Sequence, residues 1–187
     1  NTTGYYNTGV GYGSLTVNTS GFRNSGIGMY SLQKNTEGDS NMAVGYQAIG
    51  ENTVGDINVG IGYRSLRANV SGSNGVAIGT ESQLYANDTS TPWTNYNTSI
   101  GHQALRGSTT AANNTGNYNT SIGYQSLYLN TTGAYNSAQG VNALYLNTTG
   151  GYNSSQGSYA LYSNTTGNSN SAQGYKALYS NTTGSSN

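Results

Sequence analysis

Few residues in this chain are equipped for bond-making chemistry. His102 is the only histidine, and with no Cys among 187 residues no general base can be placed beside any of the many Ser and Thr hydroxyls. Gly26-Ile27-Gly28 and Gly60-Ile61-Gly62 contain G-x-G, but no helix is expected after them to present an anion-binding N-terminus, so repeat glycine explains them better than a nucleotide loop. Glu37, Asp39 and Asp56 are the one acidic grouping that suggests a metal. Asp39 and Asp56 lie 17 residues apart and three carboxylates suit calcium, which takes about six to eight oxygens; a solvated face is the ordinary alternative. A glycosidase needs two carboxylates across a cleft, and residues 107–187 contain no acid. We expect no enzyme and no cofactor. Binding is better provided for. Tyr128, Tyr145, Tyr162 and Tyr179 recur every 17 residues, as do Tyr135 and Tyr152; such rows beside Asn and Thr offer apolar faces and hydroxyls to a sugar, or simply stack on one another. Trp93, next to Pro92 in an inserted loop, is either an exposed contact or the loop's own cap.

The elements that must position these residues are constrained by composition. The chain holds 28 Gly, 27 Asn, 24 Thr and 24 Ser, so more than half of it is small or polar, and only 33% is hydrophobic. A thick, layered domain cannot be built from this. Disordered chains usually pair low hydrophobicity with high charge and Pro, whereas this one is 6% charged with one Pro and no net charge. Six basic residues supply no footprint for nucleic acid. No apolar run is long enough to span a bilayer, and the start, Asn1 rather than Met, leads us to expect a segment of a longer protein. A Tyr-, Asn- and Thr-rich, charge-poor chain without Cys fits an extracellular surface.

Periodicity is the main signal. A motif glycine falls at 11, 28, 45, 62, 79, 101, 123, 140, 157 and 174, giving steps of 17 with two steps of 22. Residues 1–187 therefore form one continuous array with loop insertions near 86–91 and 107–112. Asn stands four residues before the glycine in every copy but one, where Gly75 replaces it. Val10, Ile27, Val44, Ile61 and Ile78 immediately precede the glycine, and Gln139, Gln156 and Gln173 take that place in the last three copies. Leu15, Leu32, Leu66, Leu127, Leu144, Leu161 and Leu178 follow it by four, and Asn-Thr-Thr-Gly turns join the copies.

Each unit reads as two short strands punctuated by turns. Stacked units make an all-β fold, a parallel β-solenoid of about eleven 17-residue coils spanning on the order of 50 Å. The aliphatic and Leu positions are expected to form the core, and the three Gln an internal amide ladder. The small residue two before the glycine then points to the opposite face. So thin a rod is expected to associate laterally, most simply as a homotrimer.

Ser73-Asn74-Gly75-Val76-Ala77-Ile78-Gly79-Thr80-Glu81-Ser82 resembles the head repeat of trimeric autotransporter adhesins. Asn119-Thr120-Ser121-Ile122-Gly123-Tyr124-Gln125-Ser126-Leu127 with Asn130-Thr131-Thr132-Gly133 looks like the arrays of phage tail fibres. The resemblance implies a left-handed parallel β-roll, trimeric assembly, and a structural fibre segment, shaft or head, that stands at a cell surface or virion tail and supports attachment to a host-surface glycan or protein receptor. The competing reading is a compact ligand-binding solenoid, such as an ice- or carbohydrate-binding protein using its Thr rows.

Overall fold

The computed structural model describes residues 2–187; Asn1 lies outside the described residues. The chain winds as a parallel β-solenoid. Its strands are β1 (Thr8–Val10), β2 (Ser25–Ile27), β3 (Met42–Val44), β4 (Val59–Ile61), β5 (Gly72–Ser73), β6 (Val76–Ile78), β7 (Trp93–Thr94), β8 (Thr98–Ile100), β9 (Thr120–Ile122), β10 (Ser137–Gln139), β11 (Ser154–Gln156) and β12 (Ser171–Gln173). All but β5 and β7 form one 10-stranded sheet in sequence order. The repeat sets the register: Val10 pairs with Ile27 across one 17-residue coil, and Val76 with Thr98 across an insertion. At about 4.8 Å per step the sheet runs roughly 43 Å.

Each coil carries one strand of the main sheet, not two. The stretch expected to be a second strand is a run of turns, because two of its residues take left-handed backbone: Tyr30 and Leu32 at φ 60° and 48°, Arg64 and Leu66 at 53° and 51°. A left-handed L-residue costs about 1–2 kcal/mol. Stacking offsets this, since the N–H of Leu32 donates to Ala48 O at 3.1 Å and that of Leu144 to Ala160 O at 3.0 Å, while both side chains are fully buried. The motif glycine is obligatory for two reasons at once. Gly45 has φ +129°, and a Cβ on it would lie 2.6 Å from the carbonyl oxygen of Gly62 in the next coil.

The core is inside-out relative to expectation. Leu32, Ile49, Leu66, Leu127, Leu144 and Leu161 are fully buried, with Leu15 packed against the cluster's edge and Leu178 partly exposed. The strand residue facing them is the small one: Ala43, Ala77, Ser99, Ser121, Ala138 and Ser155 are fully buried. Val10 and Ile27, expected in the core, are 56% and 44% exposed, and Val44, Ile61 and Ile78 share that outward face at intermediate exposure. Space decides this. Strand side chains alternate, so only one of two neighbours can enter, and the cross-section has no room for a large one opposite Leu. At Gly60 even a Cβ would come within 2.5 Å of Ile49 Cγ1.

Amides fill the rest of the interior, and they belong to Asn rather than Gln. The Asn four before the motif glycine forms one ladder: Asn41 Nδ2 donates to Asn24 Oδ1 at 3.1 Å, which also accepts the Asn41 N–H at 2.9 Å. The turn Asn forms a second, with Asn35 Nδ2 donating to Asn18 Oδ1 and Asn52 Nδ2 to Asn35 Oδ1, both at 2.8 Å. Both ladders converge on the turn glycine, whose carbonyl accepts twice: Gly38 O takes Asn24 Nδ2 at 2.7 Å and Asn35 Nδ2 at 2.9 Å. Buried amides are tolerable only when satisfied in this way.

Where Gly75 leaves a gap in the first ladder, an inserted residue fills it. Asn95 occupies the space, its Nδ2 only 2.6 Å from where a Gly75 Cβ would be. It donates to Gln83 Oε1 at 3.0 Å and accepts from Asn97 Nδ2 at 2.9 Å. Gln83 stands in the Leu column and is buried, donating to Val76 O at 2.9 Å and Ser99 Oγ at 3.0 Å. This polar seam separates two apolar clusters, one from Leu15 to Ala86 and one from Leu105 to Ala177.

Candidate functional site

The outward strand face is an apolar feature that the fold leaves uncovered. Because the small residue takes the interior, alternation pushes Val10, Ile27, Val44, Ile61, Ile78, Ile100 and Ile122 into a single outward row, one per coil. Met42, Val59 and Val76, two residues before them, widen the row in the middle coils. Among the described residues nothing covers it: Ile100 and Ile122 are each 39% exposed and Met42 46%. Contiguous apolar surface on this scale marks an interaction site. The row changes character after Ile122. Gln139, Gln156 and Gln173 continue it in register, flanked by Ser137, Ser154 and Ser171.

These glutamines are not the internal ladder that the sequence suggests. All three are exposed, and the contact from Gln173 Nε2 to Gln156 Oε1 is long, at 3.4 Å. They sit on the strand position that faces out, and the buried amide ladders are those of Asn.

The tyrosines form ladders with little ring face to spare. Tyr128, Tyr145, Tyr162 and Tyr179 stack with centroids 5.0, 5.2 and 5.2 Å apart and planes within 6°. Tyr96, Tyr118, Tyr135 and Tyr152 make a second stack. The faces are turned to one another, so edges and hydroxyls, rather than a flat platform for a sugar ring, point outward. Arg106 extends the first stack, its guanidinium 5.3 Å from the Tyr128 ring and 4.8 Å from that of Tyr85. Lys176 Nζ lies 5.5 Å from Tyr179. Burial raises the Tyr145 hydroxyl's pKa from its ordinary value of 10.0, the neighbouring Tyr128, Tyr162 and Tyr124 add to the rise, and Arg106 opposes it.

Trp93 is a cap rather than a free contact. It lies in β7, paired with β5, and its indole lies over Gly72, where a Cβ would meet Cε2 at 2.7 Å. Two of the three acids, Asp39 and Asp56, are structural. Asp39 Oδ1 accepts the Phe22 N–H at 2.8 Å and Asp56 Oδ1 accepts the Asp39 N–H at 2.7 Å, so these carboxylates bridge coils. Among the described residues no three acidic, His or Cys side chains gather to hold a cation, which removes Glu37, Asp39 and Asp56 as a calcium site. His102 stacks on Tyr124 at 5.3 Å as one more surface aromatic.

The Thr row of the turns spends its hydroxyl protons within the rod. Thr36 Oγ1 donates to Thr53 O at 3.0 Å and Thr148 Oγ1 to Thr165 O at 3.1 Å. The Asn-x-Ser/Thr triplets that the turns generate are hidden: Asn69, Asn130, Asn147 and Asn164 are buried with Nδ2 bonded to a turn carbonyl. No described helix is long and apolar enough to cross a membrane. No protein-family model, curated protein or solved structure matches the chain.

Proposed function

We propose that this chain is a shaft or head segment of an extracellular fibre, a left-handed roll associated as a parallel homotrimer, of the kind that phage tails and trimeric adhesins use to hold a receptor-binding element away from the particle. The receptor in this reading is a host-surface glycan or protein. The observation that carries it is the outward row of seven aliphatic residues from Val10 to Ile122. A row running straight along a rod has a natural partner in a second copy of the same row. Parallel copies set aliphatic against aliphatic and Gln against Gln, whereas antiparallel ones bury Gln against Ile and leave amides unpaired. Parallel copies related by a rotation axis along the rod form a closed assembly that turns every row to a shared axis, and three copies is the number that the resemblance to trimeric fibres implies.

The test is the solution mass of the wild type and of the triple variant Ile27→Gln, Ile61→Gln, Ile100→Gln, by size exclusion with light scattering. The wild type is expected at three chains. The variant, which carries the polar row of the last coils into the first, is expected as a folded monomer with an unchanged circular-dichroism spectrum. A wild type that is monomeric and folded at micromolar concentration overturns the reading.

A further inference from the structure

We propose that the two inserted loops build a binding cleft for a single neutral pyranose ring, seated between the Tyr85 ring and the Glu51–Arg67 ion pair. The inference stands on this cleft alone and is independent of the fibre reading. The cleft measures about 290 Å³, just under the roughly 300–1,000 Å³ typical of small-molecule sites, so it takes one ring rather than an extended chain.

Its origin is a missing side chain. Lys34, Glu51, Ala68 and Tyr85 occupy one repeat position in successive coils, as the matching backbone bonds show: Glu51 N to Arg67 O, Ala68 N to Leu84 O and Tyr85 N to Arg106 O, at 3.1, 3.0 and 3.1 Å. Three of the four are long. Ala68 leaves a slot about one coil high, close to the strand spacing of about 4.8 Å and hence to the thickness of one saturated ring. The following coil's Arg106 covers one face of Tyr85 at 4.8 Å. Ala68 belongs to the preceding coil, so the ring's other face borders the slot.

The loops complete the walls and are fixed before any ligand arrives. Asp88 comes from the first insertion, Thr109 and Ala111 from the second. Ser71 Oγ holds the first through Thr89 O and Thr91 O, both at 2.8 Å. Asn114 holds the second: its Nδ2 donates to Ser108 O at 2.9 Å and to Tyr85 O at 2.5 Å, and its Oδ1 accepts the Ser108 N–H at 3.0 Å. Preformed loops avoid the ordering cost that a flexible site would incur.

The lining chemistry selects the ligand. Tyr85, Ala68, Val70 and Ala111 suit the C–H face of a sugar, while Glu51, Asp88 and Thr109 accept hydrogen bonds from its hydroxyls. Arg67 holds Glu51 through Nη2 at 3.1 Å, which fixes that carboxylate in the wall. Glu51 and Asp88 are balanced by Arg67 and by Lys34, which pairs with Glu51, so the cleft carries no net charge and suits a neutral ligand. A purely aromatic guest would make no use of the acceptors at Glu51, Asp88 and Thr109.

Ligand-detected saturation-transfer NMR of the folded protein tests this with glucose, galactose, mannose, N-acetylglucosamine and N-acetylgalactosamine, alongside N-acetylneuraminic acid and N-acetyltryptophanamide. At least one neutral sugar is expected to bind with a dissociation constant on the order of 1–10 mM, as a dozen heavy atoms allow. Ala68→Tyr, which fills the slot with one more ring of a stack, is expected to abolish the signal. Asp88→Asn, on an exposed loop position that carries no structural bond, is expected to weaken binding about tenfold while melting stays unchanged. Tyr152→Ala, in the other stack, is expected to bind as the wild type does. Silence from every neutral sugar, binding only of the anionic sugar or the tryptophan amide, or sugar binding that survives both Ala68→Tyr and Asp88→Asn, overturns the proposal.

Discussion

Asn136 shows how much one side chain does in this rod. Its Nδ2 donates to Gly150 O at 2.9 Å and Asn119 Oδ1 at 3.1 Å, while its Oδ1 accepts the Asn153 N–H at 3.0 Å and Asn153 Nδ2 at 3.1 Å. Truncation to Ala strands donors and acceptors on two neighbouring coils, each away from water. Asn136→Ala is expected to cost about 2–4 kcal/mol by chemical denaturation. Asn113→Ala, an exposed amide in the second inserted loop and off the outward row, is expected to stay within about 0.5 kcal/mol. Equal effects at the two sites would show that burial of the Asn ladder is not what stabilises it.

At the scale of the elements, a three-residue strand and a run of left-handed turns divide the work. The strand supplies register; the turn supplies Leu to the core and presents tyrosines as a stack. That stack makes the rod sensitive to alkali. Tyr145 titrates above its ordinary value of 10.0 in the fold, chiefly through burial and then through Tyr128 and Tyr162. Its folded pKa exceeds the unfolded one, so its contribution is complete below about pH 10 and disappears as pH rises through the folded value. Melting temperature is expected to be level from neutral pH to about pH 9.5 and to fall beyond it. Tyr145→Phe should flatten that fall. An identical alkaline decline in Tyr145→Phe would assign the sensitivity to other groups.

For the whole molecule, the polar seam at Gln83 matters more than its size suggests. Solenoid stability is a sum of coil and neighbour terms, so one poor interface divides the array. Gln83 interrupts the Leu column and separates the two apolar clusters, yet it is the acceptor for Asn95, which itself replaces the Asn missing at Gly75. Gln83→Leu would restore the repeat pattern and is expected nonetheless to lower stability by about 1–3 kcal/mol, because Asn95 Nδ2 is left unpaired. Thermal or urea unfolding checks this; a rise in stability would mean that Leu packing outweighs the seam.

The sequence by itself determined the architecture. Motif glycines at a fixed spacing, with Leu four residues on and Asn-Thr-Thr-Gly between, allow little besides stacked coils, because each coil can satisfy its backbone only through the next. The choice of face was the harder question. Alternation permits either neighbour in a strand to point inward, and hydrophobicity alone favours Val and Ile over Gly, Ala and Ser. The deciding quantity is the width of the coil, set by where the turns carry Leu, and that width is a property of the assembled coil. Its trace in the sequence was nonetheless present: the inward position is small in every copy, while the outward one accepts Gln in three. The role of Asn had no such trace, since a turn residue and a buried ladder residue have the same identity until the coils are stacked. The cleft was least legible of all. It depends on Ala68 standing between Glu51 and Tyr85 in one column while the loops of two successive coils close over the gap. Only the stacked structure brings residues of those four coils to one place.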